Sequence, residues 1–183
     1  GTIVKFCGRI VGEVYGLLGC DDVRYWWIEA GKVKVAHIGE HAKADPARIR
    51  RLGVPVHPLD MVECLAITPL PAAGGSVAWS EDGQSLLATV PGRFGSRRLW
   101  VDPATNEPSK VELLDANGVV SVAAVLEKYD RIETPDHRGP RIATRFLVAA
   151  EHGRVRVRLT LGVMEMGGSR PKPKAFELDT LLK

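Results

Sequence analysis

Five consecutive residues, His37-Ile38-Gly39-Glu40-His41, match the H-x-x-E-H string of one class of zinc peptidases. That chemistry needs both imidazoles on one helical face to hold the metal, and a carboxylate placed to activate a zinc-bound water. The local sequence does not supply such a helix. The string leaves an alternating strand, contains a glycine, and runs within a few residues into the proline-started segment at Asp45-Pro46, with His57 the nearest third ligand. It is therefore expected to be structural, with His37 continuing a strand face and Glu40 and His41 in a loop. A zinc hydrolase is the remote alternative. Cys7, Cys20 and Cys64 are odd in number and lack paired C-x-x-C spacing, so they read as small buried apolar residues rather than metal ligands. A Cys7–Cys20 bridge stays open if the first two strands lie side by side.

Arg154, Arg156 and Arg158 alternate with Val155, Val157 and Leu159, and Arg97 and Arg98 could extend the row across a sheet. Such a row suits phosphate or acidic lipid headgroups, but charge alternating along a strand more often marks a solvated face that discourages edge pairing. Trp26 or Trp100 could stack a nucleic-acid base, yet core packing is the expected role of both. Asp21-Asp22 reads as a turn. No G-x-S-x-G elbow and no glycine-rich phosphate loop before a helix is present, so no catalytic residue, metal or cofactor is expected.

The elements that must position these residues are mostly strands. Arg97–Asp130 reads as three antiparallel strands: Leu99-Trp100-Val101, Lys110–Leu114 and Val119–Tyr129. The first bend runs from Asp102 to Pro108; the second is Asp115-Ala116-Asn117-Gly118, where Asn-Gly predicts a tight turn with positive φ at both residues. Before it, Thr2–Tyr15 is β-rich and broken by glycines that predict bulges. A turn at Gly19–Asp22 precedes a strand over Val23–Ile28, and Glu29-Ala30-Gly31 leads into Lys32–Ile38 with Val33 and Val35 on one face. Asp45–Gly53 has an N-cap Asp, a first-turn Pro and a terminal Gly, and so reads as a short helix. His57–Ile67 reads as a second, with Leu59, Val62 and Ala66 on one face. Thr68–Gly75 is a loop, Ser80–Gly83 a hairpin turn, and Arg141–Ala150 and Arg154–Val163 close the sheet.

At 183 residues, 45% hydrophobic and 26% charged, the chain suits one globular domain. A domain of that size buries about 70% of the surface its unfolded chain exposes. A net charge of +3 without a concentrated patch argues against a nucleic-acid partner. No apolar run is long enough to span a bilayer as a helix, and no signal-peptide pattern opens the chain.

The run Arg98–Pro108, then Lys110–Asp115, Gly118 and Tyr129-Asp130, resembles the bacterial outer-membrane lipoprotein carrier (LolA/LolB-like) superfamily, whose members carry a W-x-D-P turn, a later proline and a strand ending in D-x-x-G. Gly19–Trp27 is similar to the family's G-S-x-D-x-x-F/Y-W segment, with Cys20 in place of the usual serine. These motifs are turn and strand signatures, so they speak for fold before activity. The resemblance implies an α+β, mainly β fold: a curved antiparallel sheet, or incomplete β-barrel, covered by short helices. It implies one domain over residues 1–183 lacking the family's N-terminal helix and first strands.

The implied function is non-enzymatic. Lipid or lipoprotein acyl chains, or another apolar ligand, would be held against the sheet in the periplasm or at the outer membrane, with membrane-surface association and with any signal or lipid anchor outside this chain. The expected apolar lining is Val33, Val35, Leu59, Val62, Leu99, Val101, Val111, Leu113, Phe146, Val155, Val157 and Leu159. The alternative is an envelope interaction module whose core has closed.

Overall fold

Runs of β-branched and aromatic residues, punctuated by glycine- and aspartate-centred turns, form eleven strands among the described residues. The computed structural model describes residues 4–10, 13–29, 35–45, 48–49, 56–71, 73–134, 139–150, 153 and 155–161. The strands make two antiparallel sheets, of four and of seven strands. Neither closes on itself among these residues, so the fold is mainly β with no closed barrel. The chain packs as two compact units, divided at Met61/Val62.

In the first unit β1 (Val4–Ile10), β2 (Glu13–Cys20), β3 (Arg24–Glu29) and β4 (Val35–Glu40) pair in sequence order. A bulge falls between Gly8 and Arg9, as the glycines predict. The register sets Cys7 opposite Leu17 and Cys20 opposite Val4. At about 3.3 Å per residue the two cysteines lie roughly 10 Å apart along the hairpin, beyond a disulfide's reach. Strand β2 runs through Cys20, two residues further than expected, so the reversal is at Asp21–Val23. There Asp21 Oδ1 accepts the backbone N–H groups of Val23 (2.9 Å) and Arg24 (2.6 Å).

Three successive aromatic rings of β3 each lie on a glycine of a neighbouring strand. Tyr25 covers Gly39 of β4, Trp26 covers Gly19 of β2 and Trp27 covers Gly16 of β2. A Cβ at Gly19 would meet Trp26 Nε1 at 2.8 Å, and one at Gly16 or Gly39 would fall deeper inside the covering ring. These glycines are small because the rings need their space. Trp26 and Ile28, both buried, pack with Leu17 and Ala36 on the opposite face from Tyr25 and Trp27.

The helix expected at Asp45 has its start in place: Asp45 Oδ1 caps the N–H of Arg48 at 2.8 Å, and Arg48 and Ile49 are helical. Its remainder, together with Lys32–Lys34, Arg154 and the segment after Leu161, lies outside the described residues. The second helix, α1 (Pro58–Cys64), is shorter than expected. Its buried positions are Pro58, Asp60, Met61 and Cys64, with Leu65 following. Leu59, Val62 and Ala66 are half-buried, so the inner stripe is rotated by one residue from the one predicted. Ala66 ends the helical run in the left-handed region, with φ 54°.

The second unit is a meander of β5 (Ser76–Trp79), β6 (Leu86–Pro91), β7 (Gly95–Val101), β8 (Pro108–Asp115), β9 (Val120–Arg131), β10 (Arg141–Ala150) and β11 (Val155–Thr160). The three predicted strands are β7, β8 and β9. The Asp102 bend is closed by Asn106 N–H to Asp102 C=O (2.8 Å), with Asn106 at φ 59°. At the Asp115 turn the expectation needs correction: only Gly118 takes positive φ (78°), and its N–H bonds Asp115 C=O at 3.0 Å. That is a type I turn followed by a left-handed glycine, the geometry of a longer hairpin loop, and not a two-residue mirror-image turn.

Two glycines therefore carry different constraints, and substitution separates them. A Cβ at Gly118 meets nothing within 4 Å, so Gly118→Ala is expected to cost about 1 kcal/mol through backbone conformation alone. Gly39→Ala drives a methyl into the buried Tyr25 ring and is expected to cost about 2–3 kcal/mol. Urea midpoints followed by tryptophan fluorescence would rank the two.

Candidate functional site

Alternation along each strand and unbroken pairing between strands decide which side chains share a face. In the seven-stranded sheet Leu86 pairs with Val101, Leu99 with Val111, Val111 with Ala124, Leu113 with Val122, Ala124 with Val148, and Phe146 with both Leu126 and Leu159. One apolar face results. It carries seven of the residues expected from sequence: Leu99, Val101, Val111, Leu113, Phe146, Val157 and Leu159, while the backbone of Val155 pairs with Ala150 and its side chain lies outside the described residues. Leu99, Val111, Leu113 and Phe146 are buried, whereas Val101, Val157 and Leu159 are half-buried. Of the others, Leu59 and Val62 lie half-buried on α1, Val35 is 44% exposed on the four-stranded sheet, and Val33 is outside the described residues. Sequence reading missed Ala88, Val90, Val122, Ala124 and Ala150, all buried on the same face. Small residues give weak periodic signals.

One member of this face is charged. Arg97 pairs with Val90 and Leu113, and its side chain is buried. It does not extend the row of Arg156 and Arg158 as expected, because neighbours in a strand point to opposite faces. Arg98 faces out and Arg97 in. The alternation back from Leu99 already contained this assignment.

The outward face is amphipathic. Trp100 is half-buried here rather than in the core, with Lys110 Nζ 4.5 Å from its ring centroid. Lys110 also pairs with Glu112 at 2.6 Å. Arg156 and Arg158 are exposed, as a solvated row requires. A groove of about 370 Å³ is lined by Glu127, Arg145, Phe146, Leu147, Arg158 and Thr160, with Arg145 Nη1 3.9 Å from Glu127. Its charged walls suit polar groups rather than an acyl chain.

The H-x-x-E-H string is split between β4 and a single 3-10 turn at His41–Lys43, so no helical face brings His37 and His41 together. His37 Nε2 lies 3.7 Å from Glu29, and Glu40 is held by Lys43 at 2.8 Å, a contact that lowers the carboxyl's pKa. Instead the fold joins His41 to His57, with Nδ1 and Nε2 3.2 Å apart. His57 Nδ1 accepts the Leu59 N–H (3.2 Å), leaving its Nε2–H to donate to His41, whose Nε2–H then donates to Asp21 C=O (2.9 Å). The chain of bonds uses both nitrogens of both rings, a tie between loops rather than an open ligand pair. Among the described residues no three His, Cys, Asp or Glu side chains cluster to hold a metal. The Tyr25 ring packs 4.7 Å from His57, and burial raises the pKa of its hydroxyl.

On β9, Tyr129 donates its hydroxyl to Pro108 C=O, tying the first residue of β8 across the sheet. Burial, helped by nearby Glu107, pushes the pKa of this phenol up to about 12.

An antiparallel meander with one dry face is the frame of a hydrophobic-ligand carrier as readily as of a packed module. The fold matches an outer membrane lipoprotein-sorting protein domain from Vibrio parahaemolyticus with a TM-score of 0.52 and 13% identity, covering 99% of this chain and 83% of that one. A LolA superfamily protein from Nitrosomonas europaea aligns at a TM-score of 0.49 and 16% identity, over 93% and 74% of the two chains. At these identities the likeness is one of fold, and it agrees with the resemblance carried by the W-x-D-P and D-x-x-G segments. No protein-family model matches the chain, and no curated protein does.

The Tyr129 phenol gives a pH test of the sheet's geometry. Its folded pKa lies above the unfolded value near 10, so the stability it contributes is whole below pH 10 and is lost as pH rises towards 12. Wild-type protein is expected to lose more stability between pH 9 and 11.5 than Tyr129→Phe does, measured by urea midpoints. At pH 7 the same substitution is expected to cost about 1 kcal/mol for the lost hydrogen bond.

Proposed function

We propose that this chain binds lipid acyl chains, or a comparable apolar ligand, without catalysis, on the dry face of its seven-stranded sheet. The carrying observation is the register that gathers Leu99, Val101, Val111, Phe146, Val157 and Leu159 on one face. The fold it shares with a lipoprotein-sorting domain supports the same reading. Each CH₂ of a guest buried there would contribute about 0.8 kcal/mol, so a chain of a dozen carbons suffices for stable capture. The half-buried strand β11 is the accessible margin of the face. The setting we infer is the periplasm or the outer membrane's inner surface, as one LolA/LolB-like domain handling lipids or lipoproteins. Among the described residues no helix is long and apolar enough to cross a membrane.

A second reading is favoured by the full burial of Val111 and Phe146 (both 0% exposed): a closed core in an envelope protein-interaction module. Native mass spectrometry of protein purified under mild conditions separates the two. Carriage predicts co-purified acyl lipid, and predicts that Leu159→Asp, at the face's margin, folds but loses it and weakens binding of a fluorescent fatty-acid analogue about tenfold or more. Absence of both co-purified lipid and analogue binding would favour the closed core.

A further inference from the structure

The dry face holds a cation that no carboxylate among the described residues neutralises. Arg97 is 4% exposed, seated between Val90 on β6 and Leu113 on β8. Its Nη1 donates to Thr68 Oγ1 at 2.7 Å. Its Nε has no hydrogen-bond partner among the described residues, and no carboxylate there pairs with it. A guanidinium is rarely buried without a counter-charge, because desolvation penalises the charged group whether or not it finds a partner. Thr68 is neutral and engages one of five N–H donors. It leaves the edge formed by Nε and Nη2, the fork that takes a carboxylate or phosphate with two parallel bonds.

We propose that Arg97 receives the anionic group of an amphiphilic guest, a carboxylate or phosphate seated on its Nε/Nη2 edge while the guest's chain lies along the dry face. This rests on the apolar-carriage reading above and adds the chemistry of the headgroup. The segment that carries Thr68 fits the role of a cover. It follows the left-handed Ala66 (φ 54°), a conformation that glycine takes more readily, and it leaves Ile67 49% and Leu70 44% exposed on either side of Thr68 in the chain. A guest entering there would supply the missing counter-charge to Arg97 and apolar contact to both side chains. A purely structural tie to Thr68 would need no charge at all.

The test compares three guests with one chain and different heads: oleate, 1-oleoyl lysophosphatidate and oleyl alcohol. Titration of delipidated wild-type protein is expected to give at least one anionic guest an affinity about 10- to 100-fold above that of the alcohol, as a charged hydrogen bond provides. Which anion is preferred tells carboxylate from phosphate. Arg97→Met is expected to bind all three alike, near the wild-type affinity for the alcohol, and to melt no lower than wild type when empty. Arg97→Lys keeps a point charge without the fork and is expected to retain a reduced preference. Equal wild-type binding of all three guests would overturn the role of Arg97 while leaving apolar carriage standing. A preference that survives in Arg97→Met would overturn it too. Binding of none would remove both proposals together. Should Arg97→Met not fold, Arg97→Lys decides, and an undiminished preference there is fatal to the idea.

Discussion

Side-chain parity across six consecutive strand pairings is the constraint on which the larger unit depends. Because strand side chains repeat every two residues, a slip of one residue in any pairing would turn a buried strand face outward. The pairings from β5 to β11 hold that parity. Where the register does shift, between Trp100 and Val101 and between Leu113 and Leu114, the irregularity falls at the last pair of the ladder, next to a turn. Bulges of this kind bend the strand locally without exchanging its faces over the rest of its length. The same rule that gathers the valines and leucines brings Arg97 inward.

The smaller unit is organised differently. Its sheet is held by large rings resting on bare backbone, Tyr25, Trp26 and Trp27 upon Gly39, Gly19 and Gly16. A ring needs an empty position beside it, and glycine provides one without a cavity. Around Tyr25 the loops are then tied by the His57–His41–Asp21 chain of hydrogen bonds. His41, which looks like a metal ligand in a linear string, thus serves with His57 to fasten loops.

The strands, their turns and one dry face were legible because each is written in short-range pattern: alternation in Leu99–Val101 and Val155–Leu159, and turn formers at Asp102 and Asp115. Parity placed seven of the expected residues on one face. What escaped depends on distant partners. Nothing near Gly39 announces that Tyr25 will lie on it, and nothing near His41 announces His57, sixteen residues away. The α1 face was read one position off because seven residues of helix carry too little periodicity to locate a stripe. Core packing is the general expectation for a tryptophan in a chain of modest aromatic content, whereas the strand parity of Trp100, opposite to Leu99 and Val101, places it outside with Lys110.

Every strand in both sheets pairs only with its neighbours in sequence, with no crossover connection among the described residues. Closing a short loop costs little chain entropy, and that cost rises only with the logarithm of loop length. Assembly can therefore advance hairpin by hairpin, each new strand docking on one already in place, without the long-range encounters that slow most all-β proteins. A chain built this way can begin to form its sheets while its later residues are still being synthesised.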